Sequence, residues 1–509
     1  MTNEPTAGTG VDELFTAVGG GADDSVVRLL RAGVSAESTD GDGETILYRA
    51  AVSDEPGLVR LLLTAGADPR RASGRDGGDL PLCGAACGGH TEVVRALLAA
   101  GAPPDGREEF GFTAVSWAVV QGFADTVEAL LEYGADPDLP GPGGEPPLLL
   151  AARRGSAPAV RVLLRYGAGA PDGVYARTRD AALAEARRWL TRDVEQELRT
   201  GLLSAYGDGY ETVTRRIEED GSETVVVELL RDGEPVAGRE QQTGHAAVTT
   251  ILETELGLAT PYEELAARAL RCGDPGRDDW TESVSALWRR GDEETFQAAA
   301  AWCAGDEPLR RAFAADVLAR LGAADGESPF AARAVPLLRE LSRRAVEPEL
   351  VRAVVVALGQ YGDPAALPEI LRHTGHPDAG VRRRAALALT GLVPGDDRDA
   401  VWALTLLSRD TDASVRHRAV VALAGLDADT PELREALAAR LDDPDAGTAA
   451  ESAKGLAARR DPRAVEALAR ILGDEDPEGY ARRTAVEAVR YVPHGPERRR
   501  LERTLPRRR

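Results

Sequence analysis

GHTEVVRALLAAGA, residues 89–102, reads as a short amphipathic helix closed by a Gly-Ala turn. The phrase returns as FADTVEALLEYGADPD (123–138) and as SAPAVRVLLRYGAGA (156–170). Its closing glycine recurs at Gly33, Gly66, Gly101, Gly134 and Gly167, at gaps of 33, 35, 33 and 33 residues. Each unit also opens on a turn: DGETILYRAA from Asp42, GGDLPLCGAA from Gly77, FGFTAVSWAV from Phe110 and GGEPPLLLAA from Gly143. Paired alanines (Ala50-Ala51, Ala85-Ala86, Ala151-Ala152) permit close helix contact. A turn and two helices cannot bury their apolar faces alone, so such units must stack on their neighbours.

Period, turn, helix pair and closing Gly-Ala together resemble the ankyrin repeat over residues 11–174, as four full units and a degenerate leading one. The family's Thr-Pro-Leu-His tetrad reads Thr45-Ile46-Leu47-Tyr48, Leu80-Pro81-Leu82-Cys83, Thr113-Ala114-Val115-Ser116 and Pro146-Pro147-Leu148-Leu149. With the histidine missing from all four, the usual hydrogen bonds between turns are in doubt and modest stability is expected. The resemblance implies that Phe112, Val120, Gln121 and Tyr133, with Glu145, Arg153, Arg154 and Tyr166, face a concave groove. Tyr and Arg are enriched in binding hot spots. The alternative is that these aromatics pack locally between adjacent fingers.

A second refrain follows Gly291: PLRRAFAADVLARLG, ELVRAVVVALGQYG, GVRRRAALALTGL, SVRHRAVVALAGL, GTAAESAKGLAAR and GYARRTAVEAVRYV. Aligned on Leu309, Val351, Val381, Val415, Thr448 and Tyr480, these six lie 42, 30, 34, 33 and 32 residues apart. Paired helices at this period resemble HEAT repeats of the bacterial type also found in phycobilin lyases. Asp306/Arg310, Asp378/Arg382 and Asp412/Arg416 open the second helices, and each Asp is expected to cap its helix and pair with the Arg one turn on. The alternative is a groove for an acidic ligand, helped by Arg383, Arg384 and Arg418.

Residues 175–275 fit neither period. YARTRDAALAEARRWLTRDVEQELRTGL reads as one long helix. Asp220-Gly221 and Asp232-Gly233 separate three β-like runs, the strongest short hairpin signal. Helices are expected near 245–256 and 261–271. The fold class expected is mainly α: ankyrin-like and HEAT-like solenoids joined by a small α+β module with a three-stranded antiparallel meander. The divisions are 1–174, 175–275, 276–497 and a basic tail, 498–509, read as disordered.

Composition narrows the function. Aromatics are only 5% of the 509 residues, so Leu, Val and Ala must build the cores. The net charge is −23, and residues 1–280 hold 26 basic against 47 acidic residues, which argues against nucleic acid as a partner. The N-terminus lacks signal-peptide character and no apolar run is long enough to span a membrane, so a cytoplasmic protein is expected. Cys83-x3-Cys87 with His90 offers three metal-ligand types, but they occupy ordinary repeat positions and no metal is assigned. His245 is expected to be a cap or a surface residue. No nucleophile, phosphate-loop or dinucleotide motif occurs in credible context, so no cofactor and no catalytic residue is assigned. The expectation is a monomeric, non-enzymatic scaffold binding protein partners. Its alternative is an enzyme or ligand-binding protein with its site in 175–275.

Overall fold

A computed structural model describes residues 7–75, 77–170, 177–219, 221–322, 328–394, 397–473 and 479–504. They form two compact units, Met1–Ser283 and Val284–Arg509.

The first unit begins with five helix pairs: α1 (Ala7–Gly19) with α2 (Asp23–Arg31), α3 (Ile46–Val52) with α4 (Pro56–Thr64), α5 (Pro81–Cys87) with α6 (Thr91–Ala99), α7 (Ala114–Gln121) with α8 (Ala124–Glu132), and α9 (Pro147–Arg154) with α10 (Ala157–Arg165). First helices stack on first helices and second on second, as a period near 33 requires. The closing glycines explain the fidelity of the refrain. All five take φ between +88° and +99°, where a side chain is strained. Gly134 donates its N–H to the Leu131 carbonyl at 3.0 Å and Ala135 donates to Leu130 at 3.2 Å, the paired bonds of a Schellman stop. The following alanines, Ala67, Ala102, Ala135 and Ala168, are buried.

Thr45 and Thr113 cap the helices that follow them, Thr113 reciprocally with Ser116. The bonds between turns left in doubt by the missing tetrad histidine are made by other groups. Thr45 N–H donates to Ser73 Oγ at 2.9 Å, and Gly74 N–H to the Gly43 carbonyl at 3.0 Å.

The single helix expected after residue 175 is two, α11 (Thr178–Leu190) and α12 (Val194–Tyr206). Asp193 breaks it by capping the second, its carboxylate accepting from Gln196 N–H at 3.1 Å. The strands β1 (Glu211–Glu219), β2 (Ser222–Arg231) and β3 (Glu234–Gln242) form an antiparallel meander. Asp232 and Gly233 both have positive φ in the two-residue turn between β2 and β3; Asp220 lies outside the described residues. Val225, Val227 and Leu229 alternate onto one face of β2, where Leu198 and Leu202 of α12 cover them. Helices α13 (His245–Glu255) and α14 (Tyr262–Leu270) fall where expected. The ankyrin-like core does not stop at residue 174: Ala182, Leu183 and Ala186 of α11 and Val248, Ile251 and Leu252 of α13 belong to the same buried cluster.

Helix α15 (Asp278–Arg290) precedes the second refrain. In the second unit α16 (Glu293–Ala304), α17 (Pro308–Gly322), α18 (Ala331–Arg344), α19 (Pro348–Tyr361), α20 (Leu367–Arg372), α21 (Ala379–Leu389), α22 (Arg398–Leu407), α23 (Ala413–Ala424), α24 (Pro431–Ala438), α25 (Ala446–Ala458), α26 (Arg463–Leu472) and α27 (Tyr480–Ala488) alternate between two layers. The refrain helices α17, α19, α21, α23, α25 and α27 make the continuous layer. Asp378 and Asp412 cap α21 and α23 as expected. The Asp-Arg pairing within a unit is corrected. Arg352 reaches Asp378, Arg382 reaches Asp410 and Arg416 reaches Asp443, each on the next unit, because these long side chains extend across to the stacked neighbour; Asp378 accepts Arg352 and caps its own helix at once. Arg310 pairs instead with Glu307 at 2.7 Å. The basic end is also corrected in part. Residues through Glu502 form α28 (Pro496–Glu502), which buries Leu501 and pairs Arg500 with Glu466, while 505–509 lie outside the described residues.

Candidate partner-binding surface and cleft

The eight residues expected to face a partner do not form one patch. Tyr133 and Tyr166 cap the C-terminal ends of α8 and α10, at equivalent places one unit apart, and are 44% and 37% exposed. Gln121 and Arg154 end α7 and α9, which run antiparallel to those helices and so place them at the other end of each pair. Phe112, in the finger before α7, stacks on Trp117 at 4.0 Å between ring centres, and the Trp117 indole donates to Glu108 at 2.7 Å. Val120 is half-buried beside Gln121.

Arg153 is held on two sides. It makes paired bonds to Glu145 at 2.6 and 2.8 Å and a third contact to Glu185 at 3.3 Å. The Arg153 bonds hold the Glu145 carboxyl below its ordinary pKa. Arg154 donates to the Gln121 carbonyl at 3.2 Å and to the Glu240 carbonyl at 3.0 Å, and it also pairs with the Glu240 carboxylate.

The end of β3 thus reaches the elbows of the third and fourth ankyrin-like units. Gln241 donates its side-chain amide to the Arg153 and Arg154 carbonyls, at 2.7 and 2.5 Å. Beside this contact lies a cleft of about 560 Å³. Thr91, Gln121, Phe123, Thr126 and Arg154 line it on the repeat side; Glu219, Ser222, Glu240 and Gln242 line it from the sheet. The sequence carried no signal for this cleft, because it arises from the docking of residues far apart in the chain.

His245 is neither a surface residue nor a side-chain cap. It is 2% exposed, stacked on Trp189 at 5.1 Å, with Nε2 at 3.1 Å from the Arg153 carbonyl. Burial pushes its pKa down to about 4, against the effect of that carbonyl. Nearby, Asp279 accepts the Ala247 N–H at 2.9 Å, and burial pushes its pKa up to about 6. Glu253 and Arg268, almost wholly buried, pair at 2.7 and 3.0 Å. Burial opposes the Glu253 charge, but bonds from Arg268, Thr260 and Arg187 hold its pKa below the ordinary value. Glu253 and Arg268 are thus held by partners within the chain.

Cys83 is buried and its thiol is pushed up by that burial; Cys87 Sγ lies 3.6 Å from the Gln121 amide and His90 Nδ1 3.5 Å from Asp54. Among the described residues, no group of three or more His, Cys, Asp or Glu side chains is arranged to hold a metal ion. No helix among them is long and apolar enough to cross a membrane.

Comparison with known proteins agrees with this architecture. A family model described as ankyrin repeats (3 copies) matches residues 14–107 and 72–141, and one described as HEAT repeats matches 297–390 and 400–490. The chain is also similar to glycerophosphocholine phosphodiesterase gde1 of Schizosaccharomyces pombe, with 35% identity over 111 residues. That match covers 21% of this chain and 10% of the relative, so the chain spans about a tenth of that protein's length. This is a mainly helical repeat protein, with ankyrin repeats across residues 14–141, HEAT repeats across 297–490 and a small antiparallel sheet in the unassigned segment between them.

Proposed function

We propose that the chain is a non-enzymatic adaptor, monomeric and cytoplasmic, that holds protein partners on its two repeat arrays. Ankyrin and HEAT repeats indicate a protein-interaction scaffold. The observation that carries the finer reading is the exposure of Tyr133 and Tyr166 at equivalent places on successive units, in a chain with 5% aromatics. Large amphipathic side chains left open in register supply binding energy at low entropic cost. Phe112, Val120, Gln121, Glu145, Arg153 and Arg154, set apart from the two tyrosines, then serve as a second contact region of the same array, with the arginines held in place by carboxylates of this chain. Residues 175–275 act as a coupler. The double variant Tyr133→Ala/Tyr166→Ala should lose about 1–4 kcal/mol of partner affinity with an unchanged melting temperature. Equal capture of partners by variant and native chain would sink this reading.

The cleft beside β3 favours a second reading, in which the segment 175–275 and the ankyrin elbows together bind a small ligand. The phosphodiesterase likeness covers too little of that enzyme to bring its activity here. A small molecule retained through purification, and lost on Gln242→Ala, would support this alternative over the first.

A further inference from the structure

The refrain helices of the second unit carry arginines of two kinds. Arg352, Arg382 and Arg416, at one equivalent position on α19, α21 and α23, are each bound to a carboxylate of the following unit. Two residues further on, Arg384 of α21 and Arg418 of α23 occupy another equivalent position, with Arg383 beside them. None of these three makes a side-chain hydrogen bond or ion pair among the described residues. Arg384 is half-buried, and α21 packs directly on α23.

A half-buried guanidinium without a carboxylate partner is open to an outside anion, and this one is crowded by its own kind. Burial lowers the Arg384 pKa, as do Arg383, Arg352 and Arg418; Asp316 acts in the opposite sense. One helical turn beyond each unpaired arginine stands an aliphatic side chain: Leu387, 37% exposed, after Arg384, and Val421, half-buried, after Arg418. Residues three apart share a helix face, so two adjacent helices present the same pair, cation and aliphatic, side by side. The pattern is bounded. On α19 the equivalent residues Val354 and Ala357 are buried in the core. On α25 they are Glu451, which accepts from Tyr480 at 2.6 Å, and Lys454, paired with Glu487 at 2.8 Å.

From this we infer that the face formed by Arg383, Arg384, Leu387, Arg418 and Val421 binds an acidic segment of a partner protein, one whose carboxylates alternate with aliphatic side chains. Carboxylates answer the unpaired guanidiniums and aliphatic groups answer Leu387 and Val421. A polynucleotide fits less well: its phosphates call for an unbroken cationic track, whereas here the arginines alternate with Leu387 and Val421. The inference rests on the scaffold reading but assigns the second array its own partner chemistry.

The test is fluorescence anisotropy with the full chain and three labelled probes: a short peptide of Glu and Leu, the same peptide with Ser for Leu, and a single-stranded oligonucleotide of equal length. The Glu/Leu peptide should bind best. Arg384→Ser/Arg418→Ser should weaken it about tenfold or more, and Arg418→Glu alone, at an exposed position, should do so without disturbing the fold. Arg409→Ser, an exposed arginine outside the face, should leave it unchanged. Tyr133→Ala/Tyr166→Ala should also leave it unchanged, which separates this site from the ankyrin surface. Undiminished binding by both the double variant and Arg418→Glu, tighter binding of the oligonucleotide, or no binding of the Glu/Leu peptide would overturn the inference.

Discussion

Arg416 grips Asp443 of the next HEAT unit with two bonds of 3.0 Å, and the Asp443 side chain is fully shielded from solvent. Arg440 and the Asp445 N–H also reach that carboxylate. Replacing Asp443 by Ala leaves Arg416 with neither its pair nor free access to water. The expected cost is about 3–5 kcal/mol, read as a lower denaturant midpoint of the second unit. Losing one exposed pair such as Arg470 with Asp442 should cost less than about 1 kcal/mol. Equal effects at the two sites would show that burial does not set the strength of these pairs.

A backbone test comes from Gly134. Its φ is +88°, and a Cβ placed there meets nothing within 4 Å. Gly134→Ala therefore isolates the conformational cost of the left-handed residue, roughly 1–2 kcal/mol. Thermal unfolding should show that loss. A neutral result would mean the helix stop does not depend on glycine.

The buried His245 and the half-buried Asp279 give the first unit opposing pH responses. His245 has its folded pKa near 4, against 6.5 ordinarily. The unfolded chain therefore gains a proton first, and stability is lost as pH falls from 6.5 towards 4. Asp279 has its folded pKa near 6, against 3.8. Here the folded chain holds the proton more tightly, so stability is lost as pH rises from 3.8 to 6. Asp279→Asn should thus gain about 3 kcal/mol relative to the native chain between pH 4 and pH 7. A stability difference that does not vary with pH would show that Asp279 is not neutralised by folding.

The buried cluster that crosses residue 174 yields a fourth expectation. A chain ending at 174 loses the cover that α11 and α13 give to α9 and α10. Compared with residues 1–283, it should unfold at lower denaturant concentration. Equal midpoints would show that the ankyrin repeats are self-sufficient.

The repeat architecture was legible because each closing glycine is demanded by one backbone conformation, so the period is written in a single residue type. The meander was legible for the same reason at Asp232-Gly233. The break at Asp193 had a signal, an Asp with Gln196 three residues on, but helical residues on both sides masked it. The partners of Arg382 and Arg416 were misread within their own helices, because sequence spacing reports neighbours along a helix and not across units. For Arg154 and Gln121, position on the repeat was readable. The carboxylate and amide that meet Arg154, from Glu240 and Gln241, come from 86 and 87 residues away, and Gln121 joins them only through Arg154.

The arginine-to-aspartate contacts between HEAT units form interchangeable joints. Arg382 meets Asp410 as Arg416 meets Asp443, through the same bidentate grip. If one unit of that series were excised in frame, the arginine before the cut would face an equivalent aspartate after it. The array can therefore shorten or lengthen in evolution without orphaning a charge, and its reach can be tuned separately from the face it presents.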